Sequence, residues 1–170
     1  MEEKKNLVKE LMPYVIIIIF VILLRTFVVT PVQVEGTSMY PTLKDREILL
    51  LKKYDHSFER FDIVVFNYSG NKLIKRIIGF PGETVEYKDN KLYINDKRVS
   101  ETFISTQKTE DFKLEDIGYD TIPEGYYFVM GDNRTNSTDS RIIGLISKKD
   151  IEGATNLSLF PFSEMGRINK

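Results

Sequence analysis

The residues with the clearest chemical potential are Ser38 and Lys75, each in a distinctive segment. Ser38 lies in residues 34–43, VEGTSMYPTL, and Lys75 opens residues 75–82, KRIIGFPG. A serine hydroxyl becomes a nucleophile when a neighbouring base takes its proton. We therefore predict that Ser38 is the nucleophile and Lys75 the base of a hydrolytic reaction.

Lysine is expected to be the base because the chain has only one histidine and no cysteine. The histidine, His56, lies in a polar segment. The lack of cysteine excludes thiol catalysis, disulfides and thiolate metal sites, and a histidine-based zinc site would need more ligands. We expect no metal and no cofactor.

A lysine base must lose its proton near neutral pH. In an extended strand Lys75 shares a face with Leu73 and Ile77, and burial lowers the pKa of a lysine. A shift from about 10.4 to near 7 corresponds to roughly 4 to 5 kcal/mol, at about 1.4 kcal/mol per unit. The alternative is a surface lysine beside Arg76.

A third segment, residues 131–141 (GDNRTNSTDSR), is rich in hydrogen-bonding groups. Asp139 and Arg141 suit a charge-assisted pair that stiffens a loop, and the hydroxyl of Ser137 could direct the lysine amine. The alternative is an elaborate polar turn. In that interpretation some residues are purely structural, namely Asp132, Asn133 and Arg134.

One apolar run precedes these segments. Residues 14–24 are unbroken apolar, and residues 11–29 reach the length of about 20 residues that a transmembrane helix needs. The alternatives are a buried core helix, a strand, or a cleavable secretory signal. No small-residue cleavage site follows the run, since that region holds Arg25, Phe27 and Pro31. We expect a retained anchor over residues 11–30.

Lysines before the anchor indicate its orientation. They are Lys4, Lys5 and Lys9. Because positive residues favour the cytoplasmic side, we expect a single-pass protein of the cell membrane. Residues 1–10 would lie in the cytoplasm and residues 31–170 on the extracytoplasmic side of the membrane. Lys44 and Arg46 follow the anchor, so the charge asymmetry is mild.

Beyond residue 32 the pattern predicts a mainly antiparallel β body. Short apolar and β-branched runs are separated by turn residues. The predicted strands are residues 47–51, 62–68, 73–78, 125–130 and 156–160, with a hairpin over residues 85–94 that turns at Asp89-Asn90. Residues 100–116 are expected to form a loop or insertion. The net charge is −1, without an extended basic block, which argues against a nucleic-acid partner.

Together, and in this order, the segments resemble those of the bacterial type I signal peptidases, which are membrane-anchored serine-lysine endopeptidases. Residues 36–42 (GTSMYPT) resemble the family's serine box, residues 75–82 its lysine box, and residues 131–141 its GDNRxxSxDSR box. Residues 60–66 (RFDIVVF) resemble its Arg-Gly-Asp strand, with Phe61 in place of the usual glycine.

The resemblance implies a fold and a set of roles. The fold would be a β-barrel-like catalytic core behind one transmembrane helix, with a small insertion at roughly residues 83–122. Ser38 would be the nucleophile, Lys75 the general base and Ser137 the hydroxyl that orients the lysine. The backbone N–H of Ser38 would contribute to the oxyanion hole. The third segment would be held in place by Asp139 and Arg141.

The resemblance also implies how substrate binds. A signal peptide of a secreted preprotein would lie extended beside residues 32–36 by strand addition, with small residues such as alanine at the first and third positions before the cut. Substrate contacts are expected at Val34, Gly36 and Met39. Some family members carry a serine where this chain has Gly36 and use its hydroxyl as a second oxyanion donor. Here a backbone amide or a water would have to serve.

Two other interpretations remain at this level. A related serine-lysine protease is the self-cleaving domain of SOS-type repressors, but the apolar anchor and the lack of an apparent DNA-binding segment argue against it. A membrane-tethered β module that binds peptides without cutting them is the other. The presence of both Ser38 and Lys75 favours an enzyme, with signal peptides and the lipid bilayer as partners.

Overall fold

A computed structural model gives the fold and describes residues 2–53, 57–104 and 108–168. The prediction of a mainly antiparallel β protein behind one apolar helix is confirmed. His56 lies outside the described residues. The main elements are α1 Glu2–Phe27, β1 Val29–Gln33, β2 Ile48–Lys52, β3 Ile63–Tyr68, β4 Asn71–Gly79, β5 Val85–Lys88, β6 Lys91–Ile94, β7 Lys97–Val99, β8 Phe112–Lys113, β9 Tyr126–Met130, α2 Ser140–Ile143, β10 Ile146–Ser147, β11 Ile151–Phe160 and β12 Gly166–Arg167.

Helix α1 carries the apolar run, and its segment Lys9–Phe27 is long and apolar enough to cross a membrane. None of that segment is buried against the described part of the protein, so the alternatives of a core helix and a strand are wrong. The helix ends at Phe27, and β1 begins two residues later. The junction is held by two hydrogen bonds, from Thr30 Oγ1 to Arg25 O (2.9 Å) and from Lys53 N to Val28 O (3.0 Å).

The larger sheet places β1 and β4 in the same direction. Its hydrogen-bonded order is β1-β2-β11-β3-β4-β9-β10, with β12 beside β11. The four pairings from β1 to β4 are all antiparallel, so β1 and β4, four steps apart, run alike. Within the described residues β1 pairs only with β2, and β4 meets β9 only from Arg76 onward. One edge of β1 and one edge of residues 71–75 of β4 therefore have no strand partner in the described part of the chain.

The strand predictions were accurate at the hairpin and incomplete at the C-terminus. Asp89 and Asn90 both have positive φ, 51° and 61°, and join β5 to β6 as predicted. Strand β11 begins at Ile151, five residues before the predicted run. The missed half contains Gly153, where a Cβ would overlap the carbonyl oxygen of Lys52. Glycine here permits close strand packing, which a propensity pattern does not register.

Strands β7-β6-β5-β8 form a separate small sheet between residues 85 and 113. The buried guanidinium of Arg134 joins this sheet to the third polar segment. It donates to Tyr87 Oη (2.9 Å), to Glu101 Oε1 (2.6 Å) and to Thr109 Oγ1 (3.2 Å). Arg134 therefore connects the small sheet to the segment that follows β9.

Phe61, which stands where the resembling family has glycine, adopts φ +70°. Its ring packs edge-on against Phe103, with centroids 5.0 Å apart, and its carbonyl accepts a 2.7 Å hydrogen bond from Arg76 Nη1. The left-handed backbone costs about 1 kcal/mol for a side chain with a Cβ, and the aromatic contact offsets that cost.

We expect Phe61→Ala to lower the free energy of unfolding by about 2 kcal/mol, because a half-buried ring is lost while the strain remains. Phe61→Gly should cost only about 1 kcal/mol, since glycine relieves the strain. Urea unfolding of the two variants measures the difference. A glycine variant less stable than the alanine variant would contradict the assignment of strain.

Candidate active site

The structure brings Ser38 and Lys75 together from segments 37 residues apart. Lys75 Nζ donates to Ser38 Oγ at 2.8 Å and to Ile74 O at 3.0 Å. Ser38 sits in the turn after β1, and Lys75 lies near the middle of β4, where residues 74–79 are all buried. The amine thus reaches the hydroxyl from a rigid strand rather than from a loop.

Burial lowers the pKa of Lys75 from 10.5 to about 8. The side chain is only 3% exposed, and removing an ammonium from water disfavours its charged form. Two carboxylates, Asp139 and Asp132, oppose this effect, because their negative charges raise the pKa. The direction matches the expectation from the sequence, and the two aspartates account for a shift smaller than the predicted one.

The turn that carries Ser38 is fastened by the third polar segment. The backbone N–H of Asn133 donates to Ser38 O (2.9 Å), and its side-chain Nδ2 donates to Thr37 O (3.0 Å). Gly131 lies directly behind, since a Cβ there would overlap Ser38 O and Ser137 Oγ. The absence of a side chain at Gly131 is what allows this close approach.

A fully buried ion pair ties the same segment to the lysine strand. Arg76 donates to Asp132 through Nε (2.9 Å) and Nη2 (2.6 Å), and both side chains are 0% exposed. The guanidinium also stacks on Phe103 at 3.9 Å. Because Arg76 follows Lys75 and Asp132 precedes Asn133, the pair fixes the base and the nucleophile turn relative to each other.

Asp139 and Arg141 form the charge-assisted pair that the sequence suggested. Arg141 contacts Asp139 through Nε (2.8 Å) and Nη2 (2.9 Å). Asp139 also accepts from the backbone N–H of Gly131 (3.0 Å) and caps the short helix α2. Arg141 Nη2 donates in addition to Arg134 O (3.0 Å). The pair therefore closes the third segment on itself.

Ser137 is placed differently from the expectation that it directs the lysine. Its Oγ is buried and has no hydrogen-bond partner among the described residues. It lies beside Gly131, while both hydrogen bonds of Lys75 Nζ go to Ser38 and Ile74. An orienting role for Ser137 remains a prediction.

A groove of about 380 Å³ leads to Ser38 and Lys75 between the two free strand edges. One wall is formed by residues 30–35 and the other by residues 70–75. Of the three residues predicted to contact substrate, Val34 and Met39 line the groove and Gly36 does not. Sequence reasoning missed the second wall, because only the observed pairing reveals that residues 71–75 have an open edge.

The backbone amide of Gly36 is already engaged and is not free to serve as a second oxyanion donor. That N–H donates to Asp45 Oδ1 at 2.8 Å, and Gly36 has φ +83°, a conformation that favours glycine. The backbone N–H of Ser38, in contrast, makes no hydrogen bond within the described residues. No cluster of three or more potential metal-binding side chains occurs among those residues.

Comparison with known proteins assigns the family. The model of the family described as "Signal peptidase, peptidase S26" matches residues 6–160. The chain belongs to the signal peptidase family. The self-cleaving repressor interpretation and the non-cleaving module are accordingly set aside.

Individual signal peptidases agree with this assignment. The chain is 42% identical over 177 residues to signal peptidase I S of Bacillus subtilis (strain 168), which covers 98% of this chain and 96% of that one. It is 47% identical over 162 residues to signal peptidase I T of the same organism, covering 89% and 84%. The crystal structure of a signal peptidase I from Enterococcus faecalis V583 superposes with a TM-score of 0.55 at 42% identity. That match covers 58% of this chain and 96% of the other.

Proposed function

We propose that this signal peptidase cleaves preproteins with Ser38 as nucleophile and Lys75 as general base. Membership of the family makes the chain a serine endopeptidase that removes signal peptides from exported preproteins. The observation that supports the two roles is the 2.8 Å contact between Lys75 Nζ and Ser38 Oγ, made by a lysine whose pKa burial lowers to about 8.

In the proposed reaction neutral Lys75 takes the proton of Ser38 Oγ as Oγ bonds to the scissile carbonyl carbon. The carbonyl oxygen becomes an oxyanion, to which the Ser38 N–H donates. Lys75 then gives its proton to the leaving amine, and the C–N bond breaks to leave an acyl-enzyme. A water molecule, deprotonated by Lys75, attacks the ester; the bond from Ser38 Oγ to the acyl carbon breaks, Oγ takes the proton back from Lys75, and the signal peptide is released.

The groove suits an extended peptide that adds a strand between two edges. Both walls, β1 and residues 71–75, run toward the dyad in the same direction. Main-chain hydrogen bonds to free edges would hold the peptide, and the buried side chains of Val34 and Met39 offer an apolar floor for small residues such as alanine. The oxyanion hole would involve the Ser38 N–H, while Asp139 and Arg141 would support the site.

Helix α1 would anchor the enzyme in the cell membrane. Its apolar side chains between Leu11 and Phe27 are mostly exposed in the protein, so a bilayer would remove them from water. With lysines at the N-terminal end, residues 1–10 would face the cytoplasm and the catalytic domain the opposite side. The groove would then open near the membrane, where the substrate's own apolar segment lies.

The test is cleavage of a preprotein with an Ala-x-Ala site by the full-length protein in detergent. Because only neutral Lys75 accepts a proton, kcat/KM should rise about tenfold per pH unit below pH 8 and level off above it. Cleavage should occur after the second alanine, which mass spectrometry of both products reports. A flat profile from pH 6 to 9, or no cleavage by folded protein, would overturn the proposal.

A further inference from the structure

One peptide group connects the nucleophile to its oxyanion donor. The carbonyl of Thr37 and the N–H of Ser38 belong to the same planar, trans unit, so they point in opposite directions. Whatever fixes Thr37 O therefore also fixes where the Ser38 N–H points. Thr37 O accepts two hydrogen bonds, from Asn133 Nδ2 (3.0 Å) and from the backbone N–H of Tyr40 (3.0 Å).

We propose that Asn133 is a positioning residue that aims and polarises the Ser38 N–H toward the oxyanion. This inference rests on the proposed function, in which that N–H stabilises the transition state. A hydrogen bond donated to the carbonyl of a peptide group polarises the group and strengthens the bond that its N–H can donate. Asn133 would thus act through the peptide unit without touching the substrate.

Asn133 is held firmly enough for this task. Its backbone N–H donates to Ser38 O (2.9 Å), so the residue grips the carbonyls on both sides of the Ser38 amide. Its Oδ1 accepts from Thr135 Oγ1 (3.4 Å), which favours the side-chain orientation with Nδ2 toward Thr37. The preceding residue, Asp132, is locked by the buried pair with Arg76.

The state of Gly36 makes the Ser38 amide more important. Gly36 has no hydroxyl to offer, and its own N–H is engaged by Asp45. Stabilisation of the oxyanion therefore depends more heavily on the Ser38 N–H. A misaligned oxyanion donor typically costs catalysis, because the donor must meet the position that the oxyanion will occupy.

The experiment compares Asn133→Ala with Asn136→Ala in the full-length protein. Asn136 is the matched control because its Nδ2 bonds the side chain of Thr37, at Oγ1 (3.3 Å), and not the peptide group. In Asn133→Ala we expect kcat to fall about 10- to 100-fold, with KM within twofold and the pH midpoint near 8 unchanged. Asn136→Ala should remain within about twofold of wild type.

A peptide aldehyde with an Ala-x-Ala sequence gives a readout that simple loosening would not reproduce. Ser38 Oγ adds to the aldehyde carbon, and the former carbonyl oxygen takes the place of the oxyanion. The affinity of Asn133→Ala for the aldehyde should fall by the same factor as kcat/KM. Its affinity for a non-cleavable peptide, which resembles the ground state, should stay the same. Asn133→Asp has the same shape but no donor toward Thr37 O, so its affinity for the aldehyde should fall by at least the same factor.

The outcomes separate this inference from the function on which it rests. Cleavage by Ser38→Ala at the wild-type rate would overturn the proposed function itself. With Ser38→Ala inactive, wild-type kcat and aldehyde affinity in Asn133→Ala would overturn the positioning role alone. Equal losses of kcat in Asn133→Ala and Asn136→Ala would also overturn the positioning role. So would a loss of kcat in Asn133→Ala that is accompanied by weaker binding of the ground-state peptide or by lower thermal stability.

Discussion

Lys75→Met is expected to abolish cleavage and, at the same time, to make the protein more stable. Methionine has a similar length and no charge, so it fills the same buried space without a base. We expect kcat to fall by about 10³-fold or more, since general-base catalysis and activation of the nucleophile are lost together. Cleavage of an Ala-x-Ala preprotein measures this effect.

The gain in stability follows from the lowered pKa of Lys75. The folded state holds this lysine at a pKa of about 8 and the unfolded state at 10.5. Below pH 8 both states are protonated, and the folded wild type bears the full penalty of about 3 kcal/mol, at about 1.4 kcal/mol per unit. Between pH 8 and 10.5 the unfolded state binds more protons, so wild-type stability rises with pH.

Lys75→Met should therefore exceed the wild type by about 3 kcal/mol at pH 7, and the difference should shrink toward zero as the pH approaches 10.5. Urea unfolding at several pH values, in the same detergent, measures it. Lys91→Met is the control, because Lys91 is an exposed lysine on the small sheet. A loss of stability in Lys75→Met at pH 7 would contradict the conclusion that burial of the Lys75 ammonium destabilises the folded state.

Arg76→Met should cost about 3 to 5 kcal/mol of unfolding free energy, because it leaves the carboxylate of Asp132 buried without its partner. Arg60→Met is a matched control. Arg60 also forms a two-contact pair with a carboxylate, Glu83, but its side chain is 28% exposed. Partial solvation of the remaining carboxylate should limit that loss to about 1 kcal/mol.

The double variant Arg76→Met/Asp132→Asn separates the ion pair from the packing around it. Removing both charges should recover part of the loss seen in Arg76→Met, because the uncompensated carboxylate is gone. Cleavage should stay impaired in both variants, since Asp132 no longer holds Asn133 against the nucleophile turn. A double variant less stable than Arg76→Met would contradict the account of a buried, unpaired charge.

The sequence was sufficient for what depends on local pattern. Alternation and turn residues located the hairpin at Asp89 and Asn90, and the distinctive segments singled out Ser38 and Lys75, which lie 2.8 Å apart. The short spacing between Asp139 and Arg141 was enough to suggest their pair, because residues two apart in one turn can meet without knowledge of the fold.

Contacts between distant segments were beyond such reasoning. Arg76 meets Asp132 across 56 positions, and Asn133 reaches Thr37 across 96. A polar run such as residues 131–141 has the same composition whether it is a solvated turn or a buried network. Only the approach of β9 to β4, and of Gly131 to Ser38, decides between the two. The free edge of residues 71–75 depends on strand pairing in the same way.

The single residue between α1 and β1 has a kinetic consequence. Val28 is the only link, and hydrogen bonds at Thr30 and Lys53 fasten the junction on both sides. If α1 lies in a bilayer, as proposed, enzyme and preprotein would diffuse in one plane, and their encounter would depend on surface density rather than on bulk concentration. Confinement of this kind raises the effective concentration of one partner near the other. In detergent micelles that advantage would be diluted away, so turnover of a tethered preprotein should fall more on solubilisation than turnover of a short soluble peptide.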